Sequence, residues 1–146
     1  MKPHGALYNM ASTDPDLAGL IAEVIASVDN SLIFYGLSGS EMKNAALHAG
    51  LTFASEVFAD RAYSENGTLL PRSEKGAVLH DMKTIIRRTI GMVKDKCVES
   101  VSGKIIPLEA DTICIHGDNP IAPDLLGNMT VAFGRNGIEL KTCTGK

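Results

Sequence analysis

A chain of 146 residues with 45% hydrophobic and 21% charged side chains suits a single domain, residues 1–146, able to bury roughly two thirds of the surface its unfolded form exposes. The net charge of −3 gives no reason to expect nucleic acid or an anionic membrane as a partner, and no apolar run approaches the roughly 18 residues of a bilayer span. Without a basic region followed by an apolar core at the start, the chain reads as a soluble, cytoplasmic protein.

The first stretch, "MKPHGALYNM", concentrates Lys2, Pro3, His4, Gly5 and Tyr8 within eight residues and reads as an active-site loop with no strand or helix ahead of it. In "DPDLAGLIAEVIASV" apolar residues recur at helical spacing, with Thr13 or Asp14 placed to cap and Pro15 in the first turn. "SLIFYGL" is a short apolar run closed around Gly36 and reads as a buried strand. "GSEMKNAALHAG" follows as a helix capped by Ser38 or Ser40 and stopped by Gly50. "LTFASEVF" is the next strand.

An irregular polar stretch leads into a long amphipathic helix in "AVLHDMKTIIRRTIGMVKD", whose pattern takes in His80. "CVESVSGKIIPL" resembles a hairpin turning at Ser102-Gly103. "DTICIHGD" is a strand, "IAPDLLGNMTVAFGRNG" a helix, and "IELKT" a last short strand. Strands alternating with helices argue for an α/β fold built on a parallel sheet or barrel. Cys97, Cys114 and Cys143 are far apart and form no C-x-x-C pair, so they read as plain thiols, with Cys114 a small core residue.

In parallel α/β folds the chemistry collects where strands run out at their C-terminal ends. Three such transitions are rich in polar residues: "KPHGALY"; "EVFADRAY", delivering Asp60, Arg61 and Tyr63; and "ICIHGDNP", delivering His116 and Asp118. A parallel sheet brings all three to one rim. Each also has a structural explanation. His4 fits a frayed terminus, Asp60-Arg61 fits an ion pair closing a loop, and Asp118 fits a cap for the helix starting near Pro120. His48 and His80 read as helix residues rather than ligands. "GLSGS" lacks the lysine and spacing of a phosphate loop, so no ATP site is identified in this chain.

Two imidazoles and two carboxylates on one rim supply either acid–base catalysis or ligands for a divalent metal. Lys2 and Arg61 suit a substrate carboxylate or an oxyanion. The short loops favour a small polar substrate.

The motifs "KPHGALYN", "EVFADRAY", "GTLLPR" and "ADTICIHGDNP", in this order from Lys2 to about Leu140, closely resemble the LamB/YcsF family. That resemblance implies a distorted (β/α) barrel of the glycoside hydrolase/deacetylase type, here only partial and lacking its N-terminal strands. It implies the role of the A subunit of 5-oxoprolinase, which with subunits B and C cleaves the lactam 5-oxoproline (pyroglutamate) to L-glutamate, with ATP as the co-substrate of the complex. Carried over by motif, His4, Asp60, His116 and Asp118 become the catalytic candidates, and Lys2, Tyr8, Glu56 and Arg61 the substrate-binding ones; a metal site is left open. The family's upstream motifs are missing, so the chain reads as the C-terminal portion of the barrel. Its unpaired edge then calls for a separately encoded N-terminal half or another copy of itself. A metal-dependent amide or sugar deacetylase, and an inactive binding fragment of the family, are the alternatives to lactam cleavage.

Overall fold

The computed structural model describes residues 1–143. The elements in chain order are α1 (Gly5–Ala11), α2 (Pro15–Val28), β1 (Ile33–Leu37), α3 (Glu41–His48), β2 (Thr52–Phe58), α4 (Met82–Lys94), β3 (Cys97–Glu99), β4 (Ile105–Pro107), β5 (Thr112–Cys114) and α5 (Ala122–Arg135). β1, β2 and β5 form a parallel sheet in that order, and β3 and β4 form a separate antiparallel hairpin. The chain is thus an α/β protein with a parallel sheet, as the alternation of elements predicts. No helix among the described residues is long and apolar enough to cross a membrane.

Local chemistry explains most of the boundaries. The Asp14 side chain accepts a hydrogen bond from the Leu17 N–H at 3.0 Å, and Pro15, which has no N–H to lose, opens α2. Asp81 does the same for α4 through the Thr84 N–H at 2.8 Å. That cap starts α4 at Met82, which leaves His80 outside the helix whose pattern includes it. α5 buries Leu125, Met129 and Phe133, four residues apart on one stripe.

Several expected details differ. Ser40 occupies the N-cap position of α3, yet neither it nor Ser38 caps the helix; the Ser38 hydroxyl instead accepts from the Glu109 N–H. The Ser102-Gly103 hairpin forms as expected between β3 and β4. "IELKT" is not a strand: among the described residues no strand pairs with residues 138–142. The opening stretch is more ordered than a loop. Gly5 takes a positive φ of 61°, which a residue with a Cβ adopts only under strain, and the chain turns there into α1.

Nor is the start frayed. The Met1 nitrogen donates to the Ile33 carbonyl and the Tyr35 N–H donates to the Met1 carbonyl at 2.8 Å. This places Met1 beside Phe34 on the outer edge of β1, in the hydrogen-bonding pattern of a parallel strand.

Register assigns the two faces of the sheet. Phe34 pairs with Phe53, Gly36 with Ser55 and Val57 with Ile113, so these side chains share the face covered by helices. There Met42 of α3 lies beside Gly36, and Ile113 packs with Leu125, Met129 and Phe133 of α5. Leu37, Glu56, Phe58, Thr112 and Cys114 share the opposite face, where Tyr8 of α1 packs edge-on against the Phe58 ring with centroids 5.5 Å apart.

Gly36 marks a tight spot between the Phe53 ring of β2 and Met42 of α3. A Cβ there would lie 2.7 Å from the Phe53 ring and 3.1 Å from the Met42 Cβ. Gly36→Ala is therefore expected to lower stability by about 1–3 kcal/mol, the usual cost of overpacking a full core. Urea unfolding of the two proteins checks this; an unchanged midpoint would show that the layer relaxes freely.

Candidate active site

The N-terminal stretch and two strand ends supply the polar groups. The stretch ahead of α1 contributes Lys2 and His4, and α1 itself Tyr8; β2 and the loop after it contribute Glu56, Asp60 and Arg61; the loop after β5 contributes His116 and Asp118. Except for His4 and Arg61, they fall into two hydrogen-bonded groups and one surface pair.

The first group is built on Glu56. Its carboxylate is 4% exposed on the sheet face opposite the helices, where an unpaired charge would be costly. Lys2 Nζ donates to Glu56 Oε1 at 2.7 Å, and the Tyr8 hydroxyl donates to Oε2 at 2.8 Å. Lys2 Nζ also lies 3.4 Å from Cys114 Sγ and 5.1 Å from the centre of the Phe58 ring. Burial, reinforced by the Glu56 carboxylate, pushes the Tyr8 hydroxyl far above its ordinary pKa, so Tyr8 remains a donor. Burial and then Glu56 also raise the Cys114 thiol, against the opposing pull of Lys2. Cys114 is half-buried, packed against the hydrophobic core and at the wall of this group.

The second group is built on Asp60, which is fully buried. Its Oδ1 lies 2.9 Å from His116 Nδ1, and its Oδ2 accepts from the His116 N–H at 3.4 Å and from Asn119 Nδ2 at 3.3 Å. Asn119 Nδ2 also reaches the Leu79 carbonyl at 3.3 Å. A carboxylate oxygen accepting at Nδ1 favours the tautomer with its proton on that nitrogen and the Nε2 lone pair free. The His116 ring stacks on Phe58 with centroids 5.4 Å apart, so its plane is fixed on two sides. The nearby Tyr63 hydroxyl accepts from the Phe58 N–H at 2.9 Å, and burial pushes its pKa up to about 12.

Asp118 stands apart from both groups. It does not cap α5, whose N-cap is Ile121 and whose first turn has no side-chain cap. It pairs instead with Arg72 at 2.6 Å, an exposed ion pair in which the guanidinium holds the Asp118 carboxyl below its usual range. Asp60 and Arg61 do not close a loop as an ion pair either. Arg61 turns away to donate Nε to the Ala77 carbonyl at 3.2 Å and Nη2 to the Leu70 carbonyl.

Lys2, His4, Tyr8, Arg61, Arg72 and His116 border one cavity of about 620 Å³. A smaller one of about 360 Å³ lies beyond His116 and Arg72, against Asp60, His80 and Asp118. His4 itself is exposed. Among the described residues no three His, Cys, Asp or Glu side chains converge as a metal site requires. Sequence reasoning missed Asn119, Phe58 and Arg72, although all three stand inside the quoted motifs "ICIHGDNP", "EVFADRAY" and "GTLLPR".

The chain is similar in sequence and fold to known proteins. The model of the LamB/YcsF family matches residues 1–146. The chain is 47% identical to the 5-oxoprolinase A subunit of Limosilactobacillus fermentum, over 98% of this chain and 57% of the relative. It is 54% identical to the 5-oxoprolinase A subunit of Halalkalibacterium halodurans, over 96% of this chain and 54% of the relative. A crystal structure of a lactam utilization protein from Thermus thermophilus superposes with a TM-score of 0.85 at 36% identity, covering 97% of this chain and 56% of that one. The chain thus spans about half the length of the curated relatives it matches.

The placement of Cys114 beside two opposite charges has a measurable consequence. Removing the Glu56 charge takes away an influence that raises the thiol pKa and leaves the one that lowers it. Glu56→Gln should therefore move the pH profile of Cys114 alkylation downward, with a several-fold faster rate at pH 8, and Lys2→Met should move it upward. Iodoacetamide labelling read peptide by peptide measures both; unchanged profiles would mean that the thiol does not sense this pair.

Proposed function

The chain belongs to the LamB/YcsF family, and from that premise we propose that it acts in 5-oxoprolinase, opening the lactam of 5-oxoproline to give L-glutamate. The observation that carries the reading is the buried Asp60 holding His116 by Nδ1 at the rim of the 620 Å³ cavity. Lactam cleavage requires that a water lose a proton as it attacks the carbonyl carbon, and that the ring nitrogen gain one as the C–N bond breaks. His116, with Nε2 free, takes the first proton and returns it to the leaving nitrogen, and Asp60 stabilises the imidazolium in between. His4 borders the same cavity without a hydrogen-bonded orienting partner among the described residues, so His116 is the stronger candidate for this role.

A lactam carbonyl is a poor electrophile. In this proposal the free energy of ATP enters through the partner subunits B and C, which activate the ring; no nucleotide-binding role is assigned to residues of this chain. The reaction takes place in the cytoplasm, where ATP is available and Cys97, Cys114 and Cys143, all free thiols, stay reduced. The three-stranded sheet is read as an arc of a (β/α) barrel of the deacetylase type. The segment that closes the barrel beside β1 is supplied by the remaining half of the relatives' length or by a second copy.

With both partner subunits, ATP and 5-oxoproline, His116→Ala and Asp60→Asn should each reduce glutamate formation by about 10²–10⁴-fold, the usual worth of a positioned acid–base group. KM should change far less than kcat. Wild-type turnover in either variant would refute the assignment.

A further inference from the structure

Three cations face the larger cavity, and two of them are already neutralised. Lys2 is held by Glu56 at 2.7 Å and Arg72 by Asp118 at 2.6 Å. Arg61 is different. It is only 4% exposed, and among the described residues no ion pair joins it to an Asp or Glu. Its Nε and Nη2 donate to the carbonyls of Ala77 and Leu70. A guanidinium carries five N–H groups, so three remain, on a side chain that borders the same cavity as His116.

The two carbonyl contacts fix the orientation of the guanidinium plane without reducing its charge. Burial, and then the neighbouring Arg72, pull its pKa below the ordinary value. Both disfavour the charged form, and a bound anion would relieve both. A planar fork of donors held rigid in a nearly dry wall is the geometry that recognises a carboxylate.

We propose that Arg61 is the residue that anchors the substrate's carboxylate, and that Lys2, whose charge is paired with Glu56, is not. The inference rests on the 5-oxoproline reading and deepens it. 5-Oxoproline carries a carboxylate on the ring carbon next to the lactam nitrogen, so an anchor at Arg61 turns the lactam toward His116. It also makes the site select ring acids over neutral lactams.

Three small probes separate the elements: 5-oxoproline, cyclopentanecarboxylate (ring and acid, no lactam) and 2-pyrrolidinone (lactam, no acid). Titrations followed by NMR should show Arg61→Met weakening 5-oxoproline and cyclopentanecarboxylate about 10- to 100-fold, the range for a lost charge-assisted contact. The affinity for 2-pyrrolidinone should not change, and the double change Lys2→Met/Glu56→Gln, which removes both charges of that pair, should leave cyclopentanecarboxylate within about twofold of wild type. Because Arg61 also braces Leu70 and Ala77, the unmutated protein provides a second reading. Its Arg61 Nε–H resonance, assigned by its absence in Arg61→Lys, should shift with cyclopentanecarboxylate and stay still with 2-pyrrolidinone. Failure of cyclopentanecarboxylate to bind wild type or to move that resonance overturns the anchor. Equal binding of 5-oxoproline to wild type and Arg61→Met also overturns it while leaving the lactam reading intact. If cyclopentanecarboxylate binds through Arg61 as tightly as 5-oxoproline does, the anchor holds and the lactam reading falls.

Discussion

The contact on which the site depends is the one between the buried Asp60 carboxylate and the imidazole of His116, 2.9 Å apart. Asp60 belongs to the loop after β2 and His116 to the loop after β5, so a single carboxylate joins two strand ends that are neighbours in the sheet. Its second oxygen receives the His116 N–H and the Asn119 amide, which ties the approach to α5 into the same knot. A carboxylate with no solvent exposure is tolerable only when its lone pairs are occupied in this way. The buried cost of Asp60 is thus what makes the orientation of His116 specific.

The Glu56 group extends this logic to the N-terminal stretch. Lys2 and Tyr8 converge on one buried carboxylate, and Met1 adds backbone pairing along β1. Met1, Lys2 and Tyr8 therefore fasten the N-terminal stretch to the sheet. The two buried carboxylates sit near each other on β2 and its following loop, yet they serve different partners: Glu56 holds a cation and a phenol, whereas Asp60 holds an imidazole and an amide. Phe58, between them in sequence, contacts Lys2, Tyr8 and His116 and keeps the two groups in fixed relation.

The elements that could be read from the sequence were those with a strong local signal. Apolar runs such as "SLIFYGL" and "LTFASEVF" marked β1 and β2, and Asp14 with Pro15 marked the start of α2. The convergence of the loops after β2 and β5 on one rim followed from strand direction alone. What could not be read depended on tertiary partners. Asp118 has the position of a helix cap, but Arg72, 46 residues away, takes its carboxylate. "IELKT" has strand-forming residues but, among the described residues, no strand paired with it. α1 depends on Gly5 entering a positive φ, and His80 on an Asp81 cap that cuts the helical pattern short. Asn119 carried no signal of its own, since its role exists only once Asp60 is buried beside it.

The central claim is that Asp60 fixes His116 with the proton on Nδ1 and the Nε2 lone pair available for chemistry. The most direct measurement is ¹⁵N NMR of the His116 ring near neutral pH. The neutral imidazole should show a protonated Nδ1 and an unprotonated Nε2, and Asp60→Asn should abolish that preference. A neutral His116 carrying its proton on Nε2 in the unmutated protein, or the same tautomer with and without the Asp60 charge, would contradict the account.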